Sequence, residues 1–167
     1  MADIFLHPGD LRFAEPGTSL RTVLGSCLAI VMWHPARRIG GMSHCLLPCR
    51  ASSDRVSRLD ARYVDEALPL MFVEAVRRDT DPNDYRIKLF GGSKMIAALH
   101  CERRSPIGDL NARTAVLNLS RLGLAIAARD LGGTSHRSLV FEVESGAVWV
   151  RTGTDASRDT RVEAALL

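Results

Sequence analysis

The 167-residue sequence has no apolar run near the roughly 18 residues that a membrane-spanning helix requires. Its amino terminus, MADIFLHPGD, lacks the basic stretch followed by an apolar stretch that marks a secretory signal. It contains no run of five Lys or Arg residues, and a net charge of +3 is too small to indicate a nucleic-acid partner. These absences favour a cytoplasmic protein that is not membrane-embedded. In that compartment the four cysteines are expected to remain thiols.

What the sequence does contain is a mixture of short β-prone segments and two longer helical ones. Apolar positions recur every three or four residues across 58–78 and 107–122, which predicts two amphipathic helices, with Pro69 as a kink or break in the first. One α/β or α+β domain over residues 1–152 is expected, followed by a flexible tail at 153–167. Strands are predicted at 4–13, with a break at Pro8-Gly9, and at 19–24, 27–33, 39–44, 85–90, 124–130, 138–143 and 147–151.

The stretch 22–49, TVLGSCLAIVMWHPARRIGGMSHCLLPC, combines two apolar segments with a polar, proline-containing turn between them. Taking 34–37 as the loop of a β-hairpin and counting outward places Cys27 directly opposite His44. Directly opposed residues have Cβ atoms roughly 4.5–5.5 Å apart. A thiol and an imidazole so placed could share a proton, and the imidazole would lower the pKa of the thiol, which is what a cysteine nucleophile requires.

The turn before this cysteine suits the same chemistry. A Gly-Ser turn allows backbone N–H groups to point at a bound carbonyl oxygen and form an oxyanion hole beside the sulfur. The Gly-Gly-Ser-Lys sequence at 91–94 lacks the frame of a phosphate-binding loop, and it predicts instead a close backbone approach near the site. The candidate oxyanion and substrate-binding residues are therefore Gly25, Ser26, Ser43, Gly91 and Gly92.

Other polar residues have more ordinary interpretations. Cys45, Cys49 and Cys101 are expected to be small structural side chains. A zinc site built from these three cysteines with His44 and His100 would lack the usual C-x2-C or H-x3-H spacing. No metal site and no cofactor are therefore predicted.

The residues quoted above resemble the CheD family, the bacterial chemoreceptor glutamine deamidases. The resemblance covers about residues 3–152. Its most specific parts are the L-G-S-C and G-G-M-S-H segments at their mutual spacing. Further matches follow in family order: His7-Pro8-Gly9, KLFGG at 88–92, Ile107-Gly108 with Asn111, Gly132-Gly133, and the final Val148-Trp149-Val150-Arg151.

This resemblance implies a three-layer α/β/β sandwich similar to that of the cytotoxic necrotizing factor toxins. It implies a cysteine hydrolase that converts selected glutamines of methyl-accepting chemotaxis receptors to glutamate through a thioester, and that could also cleave receptor glutamyl methyl esters. The family's catalytic residues correspond to Cys27, His44 and Thr22, with Ser19 and Thr18 as alternatives to the threonine.

The same resemblance implies two partners. The substrate would be the cytoplasmic helical domain of a chemoreceptor, and a CheC-type phosphatase would be a second partner. The alternative function is a non-catalytic chemotaxis adaptor that binds such a phosphatase or a receptor. Ammonia release from a receptor fragment separates the two hypotheses.

Overall fold

The computed structural model describes residues 2–51, 58–95 and 105–153, together with the backbone of 159–162. Within these residues, ten strands form two five-stranded sheets, and two helices pack on one of the sheets. The elements are β1 Ala2–Phe5, β2 Leu11–Ala14, β3 Thr18–Leu24, β4 Leu28–His34, β5 Ile39–Cys45, α1 Val64–Val76, β6 Arg86–Gly91, α2 Ile107–Arg121, β7 Ile126–Leu131, β8 Arg137–Glu142, β9 Val148–Thr152 and β10 Asp159–Val162.

The two sheets and the helices form three layers. The first sheet has the strand order β1-β3-β8-β9-β10, and the second has the order β2-β5-β4-β6-β7. Strand β4 is buried on both faces, as its continuous apolar sequence predicts. Leu28, Ile30 and Met32 pack towards the helices, while Ala29 and Val31 pack towards the first sheet. The predicted α/β/β sandwich is confirmed.

Both predicted helices are present. Helix α1 begins six residues later than predicted, with Asp65 and Glu66 in its first turn, where negative charge stabilises a helix. Pro69 lies inside α1 on its exposed side, and the helix continues past it, so the predicted break is absent. Helix α2 matches its prediction to one residue, and Gly123, at φ 68°, follows its end as a left-handed terminator.

The register of the β4–β5 hairpin differs from the sequence-based count. Residues 35–38 form the turn, which Arg38 closes in the left-handed region at φ 51° while its amide donates to His34 O at 2.8 Å. His44 therefore lies opposite Ala29 and not opposite Cys27. The predicted direct pairing was wrong by two residues. Because side chains alternate with a period of two, the shift leaves every side chain on its predicted face.

Several predictions fall at the edges of the described chain. Residues 159–162 of the tail pair antiparallel with β9, whereas 154–158 and 163–167 lie outside the described residues, and the domain boundary at 152 stays a prediction. Residues 52–57 and 96–104 also lie outside them. No helix in the described ranges is long and apolar enough to cross a membrane.

Candidate active site

His44 lies on the face of β5 that packs against the first sheet, and its ring is held by a chain of hydrogen bonds. Thr22 Oγ1 lies 2.8 Å from His44 Nδ1, and it donates to Leu6 O at 2.9 Å. A hydroxyl has one proton to give, so Thr22 must accept from the ring if it donates to Leu6. Nδ1 therefore carries the proton of the neutral imidazole, and Nε2 carries a lone pair.

The second ring nitrogen of His44 has no such partner in the part of the chain that the structure describes. His44 is only 3% exposed, and its Nε2 has no hydrogen-bond partner among the described residues. Leaving a buried polar atom unpaired costs about 1–3 kcal/mol, so it is uncommon outside functional sites. An unprotonated, unpaired nitrogen is available to accept a proton from a neighbouring group.

The Thr22–His44 hydrogen bond joins the two sheets. Strand β3 alternates between the interior and solvent: Leu20, Thr22 and Leu24 are buried, and the intervening Arg21 and Val23 are exposed. Thr22 therefore points from the first sheet towards the second, where His44 lies. Thr18 and Ser19, the alternatives for the third residue, lie at the opposite end of this strand.

The backbone of His44 is fixed by the His-Pro-Gly-Asp loop that joins β1 to β2. Gly9 N donates to His44 O at 2.8 Å, and His44 N donates to Asp10 O at 2.9 Å. His7 N donates to Asp10 Oδ2 at 2.9 Å and closes the loop on itself. The ring and the backbone of His44 are therefore both held by residues from the first 22 positions of the chain.

Burial determines the resting protonation of the two candidate catalytic groups. Burial lowers the pKa of His44, and it outweighs the Leu6 carbonyl and Asp10, which raise it; His7 lowers it further. Burial also raises the pKa of the Cys27 thiol, against a smaller lowering by its own backbone amide. The expectation that the thiol pKa would be lowered is wrong for this structure. Both shifts favour a neutral thiol and a neutral imidazole in the resting protein.

The turn that carries Cys27 is held through its carbonyl oxygens. Each of the three carbonyls accepts one hydrogen bond from the layer formed by the 91–95 segment and α2. The donors are Ser93 N to Gly25 O at 3.1 Å, Asn111 Nδ2 to Ser26 O at 3.0 Å, and Gly92 N to Cys27 O at 2.8 Å.

The N–H groups of the same turn lack acceptors in other described residues. In the described part of the chain, the amides of Gly25, Ser26 and Cys27 donate to no other residue. With their carbonyls held in this way, these amides are candidate donors to a ligand oxygen. Cys27 itself is only partly buried, so a ligand can reach the turn.

Cys27 and His44 share a face of the second sheet without being bonded to each other. Cys27 packs against the apolar cluster between the two sheets, on the side where His44 meets Thr22. Among the described residues, no hydrogen bond joins the Cys27 sulfur to the imidazole. The structure thus brings Thr22 and His44 into contact, and Cys27 lies past the end of the β4–β5 ladder, against the apolar cluster between the two sheets.

The remaining predicted site residues divide into two groups. Gly91 and Gly92 make the close backbone approach that was predicted: a Cβ on Gly91 would lie 2.4 Å from Cys27 O, and one on Gly92 would lie 2.8 Å from Gly108 O. Ser43 is not brought to the site. It is fully buried on the other face of β5, and its hydroxyl lies 3.5 Å from Cys45 Sγ.

Two supporting residues were not assigned a role from the sequence. Asn111 binds the cysteine turn through Ser26 O, and Arg137 Nη1 donates at 2.6 Å to Ser93 Oγ, whose backbone amide holds Gly25 O. The available signal for Asn111 was a polar residue on the otherwise apolar face of a predicted helix. No comparable signal marks Arg137, since a buried arginine is usually visible only once its partners are known.

The zinc hypothesis can be examined for part of its residues. In the ranges that the structure describes, no three His, Cys, Asp or Glu side chains are grouped as metal ligands. His100 and Cys101, which that hypothesis requires, lie outside those ranges.

Known proteins match this chain over most of its length. The model of the family CheD chemotactic sensory transduction matches residues 46–152. A protein of Pseudomonas syringae pv. syringae (strain B728a), named probable chemoreceptor glutamine deamidase CheD, is 44% identical over 90% of this chain and 85% of its own length. Because only about a tenth of the chain is left out, that alignment spans residues 22–44.

Two further relatives carry names of the same kind. The probable chemoreceptor glutamine deamidase CheD of Pseudomonas fluorescens (strain SBW25) is 45% identical over 89% of this chain and 84% of its own length. The probable chemoreceptor glutamine deamidase CheD 2 of Albidiferax ferrireducens (strain ATCC BAA-621 / DSM 15236 / T118) is 41% identical, with 92% and 91% covered. With this identity and coverage, the chain belongs to the CheD family.

Proposed function

We propose that this protein hydrolyses the side-chain amide of selected glutamines in the cytoplasmic helical domains of chemoreceptors and releases ammonia. Cys27 is the nucleophile, His44 the general base and acid, and Thr22 the residue that orients His44. The observation that carries the proposal is the buried Nε2 of His44, which has no partner among the described residues and whose lone pair is fixed by the hydrogen-bond chain through Thr22 to Leu6 O. The relatives named chemoreceptor glutamine deamidase supply the substrate class.

In the first half-reaction the Cys27 thiol gives its proton to His44 Nε2 while its sulfur bonds to the carboxamide carbon. Because the resting thiol and imidazole are both neutral, proton transfer accompanies attack and no preformed ion pair is required. The imidazolium then protonates the nitrogen of the tetrahedral intermediate. The C–N bond breaks, ammonia leaves, and a thioester remains on Cys27.

The open amides of the Gly25–Cys27 turn would stabilise this intermediate. Its negative oxygen develops on the carbon that is bonded to the sulfur, so donors on the residues around Cys27 are well placed to receive it. Removing one such donor typically lowers kcat by about 10²–10³-fold in other hydrolases. Gly91 and Gly92 contribute by holding the turn, since Gly92 N binds Cys27 O.

Water completes the cycle. His44 Nε2 accepts a proton from water as the water oxygen attacks the thioester carbon, and it returns that proton to sulfur when the C–S bond breaks. The products are a glutamate side chain and the free thiol. A receptor glutamyl methyl ester would form the same thioester with methanol as leaving group, so we propose that it is a second substrate.

Two further elements of the proposal rest on the family resemblance. The protein acts in the cytoplasm, where it meets receptor cytoplasmic domains. A CheC-type phosphatase is proposed as a binding partner. Co-purification of the full chain with such a phosphatase, compared with an unrelated cytoplasmic protein of equal size, tests this second part.

The deamidation itself is tested with a receptor cytoplasmic fragment. Incubation with the wild-type protein should release ammonia and change defined peptides by the mass difference between an amide and a carboxylic acid. Cys27→Ala should bind the fragment without either change. Binding by both proteins with no ammonia from either would favour the non-catalytic adaptor instead.

A further inference from the structure

Asn111 occupies an unusual position for an amide. It lies on the buried side of α2 with Gly108, Ala115 and Leu119, and it is 0% exposed. Burying an amide without hydrogen bonds costs several kcal/mol in an apolar medium, so the bonds that it makes indicate why it is retained.

Those bonds connect the two halves of the candidate active site. Asn111 Nδ2 donates to Ser26 O at 3.0 Å and to Leu46 O at 3.0 Å. Ser26 directly precedes Cys27, and Leu46 follows His44 by two residues. Only the NH₂ end of the amide can donate twice, so the orientation of the side chain is fixed by its partners. The same orientation leaves Oδ1 buried with no partner in the described residues.

A close helix–backbone contact places Asn111 at this point. A Cβ on Gly108 would lie 2.2 Å from Ser93 O, so only glycine allows the first turn of α2 to approach the 91–95 segment this closely. That segment holds Gly25 O and Cys27 O through its own amides. Asn111 lies three residues after Gly108, on the same side of the helix, and reaches the remaining carbonyl of the turn.

We propose that Asn111 is a positioning residue that sets the separation of Cys27 from His44. No direct bond joins these two residues in the described structure, so their spacing depends on what holds each of them. Asn111 is one side chain bonded to both supporting segments. A shift of about 1 Å between reacting groups can cost on the order of 10²-fold in rate. The role rests on the deamidation proposed above, but the bridge itself can be tested without a receptor.

The first test is kinetic and uses Asn111→Asp. The introduced carboxyl group has the shape of the amide, but it donates one hydrogen bond when protonated and none when ionised. We expect kcat to fall by about 10²-fold with KM for the receptor fragment changed by less than about twofold, because only alignment is lost. The ratio of variant to wild-type kcat should rise as the pH is lowered, since protonation restores one donor.

Two matched variants on α2 serve as controls. Asn118→Asp makes the same substitution at a half-buried position whose side chain forms no hydrogen bond in the described structure, and it should leave the kcat ratio independent of pH. Leu119→Ala removes a fully packed core side chain and should lower the free energy of unfolding without lowering kcat. If Asn111→Asp does not fold, Asn111→Ser breaks the bridge without adding charge.

The second test uses the free protein. The rate of Cys27 alkylation by iodoacetamide, resolved by peptide mass, should fall several-fold in Asn111→Ser and stay unchanged in Leu119→Ala. A loss of stability with unchanged kcat and unchanged alkylation would make Asn111 purely structural and overturn the proposal, as would a rise in KM alone. If the wild-type protein deamidates no receptor while alkylation still depends on Asn111, the proposed function fails and the positioning role stands.

Discussion

On the helix-facing side of β5, Ser43 Oγ lies 3.5 Å from Cys45 Sγ, and both side chains are fully buried. One residue away, on the side that faces the first sheet, the His44 ring lies 2.8 Å from Thr22 Oγ1 and is also buried. Each arrangement pairs a hydroxyl with a titratable group. They differ in whether a polar atom is left unbonded: His44 Nε2 has no partner in the described part of the chain.

The difference separates a core contact from a candidate catalytic group. Burial raises the pKa of Cys45 to about 12, so that thiol stays protonated at physiological pH and is enclosed by the helices and the sheet. Burial also raises the pKa of Cys27, but this thiol is only partly buried and lies beside open backbone amides. The thiol in the turn before β4 and the thiol on β5 therefore differ mainly in which face of the sheet they occupy and whether a ligand can reach them.

The largest expected effect comes from replacing Cys27 or Cys45 with alanine. Cys27→Ala should lower the deamidation rate by roughly 10⁴-fold or more, because no nucleophile remains, and it should leave the fold intact. Cys45→Ala should keep turnover and lower the free energy of unfolding by about 1 kcal/mol, since it removes a buried sulfur. Ammonia release and urea denaturation of both variants measure the two effects. Equal activity of the two variants would remove the distinction between the thiols.

The next effect separates His44 from its neighbour on the strand. His44→Gln removes the proton acceptor and should lower kcat by about 10²–10⁴-fold, the usual contribution of a general base. Ser43→Ala removes a hydroxyl that contacts Cys45 Sγ and accepts from Ile30 N, so it should cost stability of about 1 kcal/mol and no activity. A large loss of kcat in Ser43→Ala, measured in the same assay, would restore Ser43 to the candidate substrate-binding residues.

A smaller effect is expected at Thr22. Thr22→Val keeps the shape but removes the acceptor of the Nδ1 proton, so the ring can take the tautomer in which Nε2 is protonated and cannot act as a base. We expect roughly a 10-fold loss of kcat, with KM unchanged, because a fraction of the enzyme holds the wrong tautomer.

Thr22→Ser supplies the control, because its hydroxyl can still accept from the ring and donate to Leu6 O. It should retain most of the activity. The nitrogen chemical shifts of His44 report the tautomer directly: Nδ1 should be the protonated nitrogen in the wild type and in Thr22→Ser. The same shifts in Thr22→Val would mean that another group fixes the ring.

Most of the fold followed from local sequence patterns. The periods of 58–78 and 107–122 predicted the helices, and the double apolar character of β4 predicted a sheet covered on both sides. The hairpin register could not be predicted from these patterns. Arg38 adopts a left-handed conformation, which is uncommon for a residue other than glycine and has no sequence signal here. The predicted pairing was therefore wrong by two residues. The side chains still lie on their predicted faces, because side chains along a strand alternate with a period of two.

The candidate site also contains some residues that local sequence identified and some contacts that it could not. Cys27 and His44 were identifiable because both lie in one hairpin. The Thr22–His44 bond crosses between sheets, and Asn111 is 85 positions from Ser26, so neither contact is visible in local sequence. The direction of the thiol pKa was predicted wrongly because burial, which local sequence does not show, has the largest effect on it and raises it.

The smallest expected effect concerns stability in acid. Burial lowers the pKa of His44 below its ordinary value of 6.5, so the unfolded chain binds a proton at this residue at a higher pH than the folded chain does. Stability rises with pH wherever the unfolded state binds more protons, so the contribution of neutral His44 is fully present above pH 6.5 and is lost as the pH falls below it. His44→Gln cannot titrate and should therefore lose less stability than the wild type over this interval. Urea denaturation of the two proteins across this pH interval measures the difference.

Cys45→Ala supplies the control, because it alters the Ser43–Cys45 contact on the other face of β5. It should follow the wild-type curve, since a thiol with a pKa of about 12 does not titrate in acid. Parallel curves for the wild type and His44→Gln would mean that the imidazole is as easily protonated in the folded protein as in water, and Nε2 would then lose its role as a base held neutral by burial.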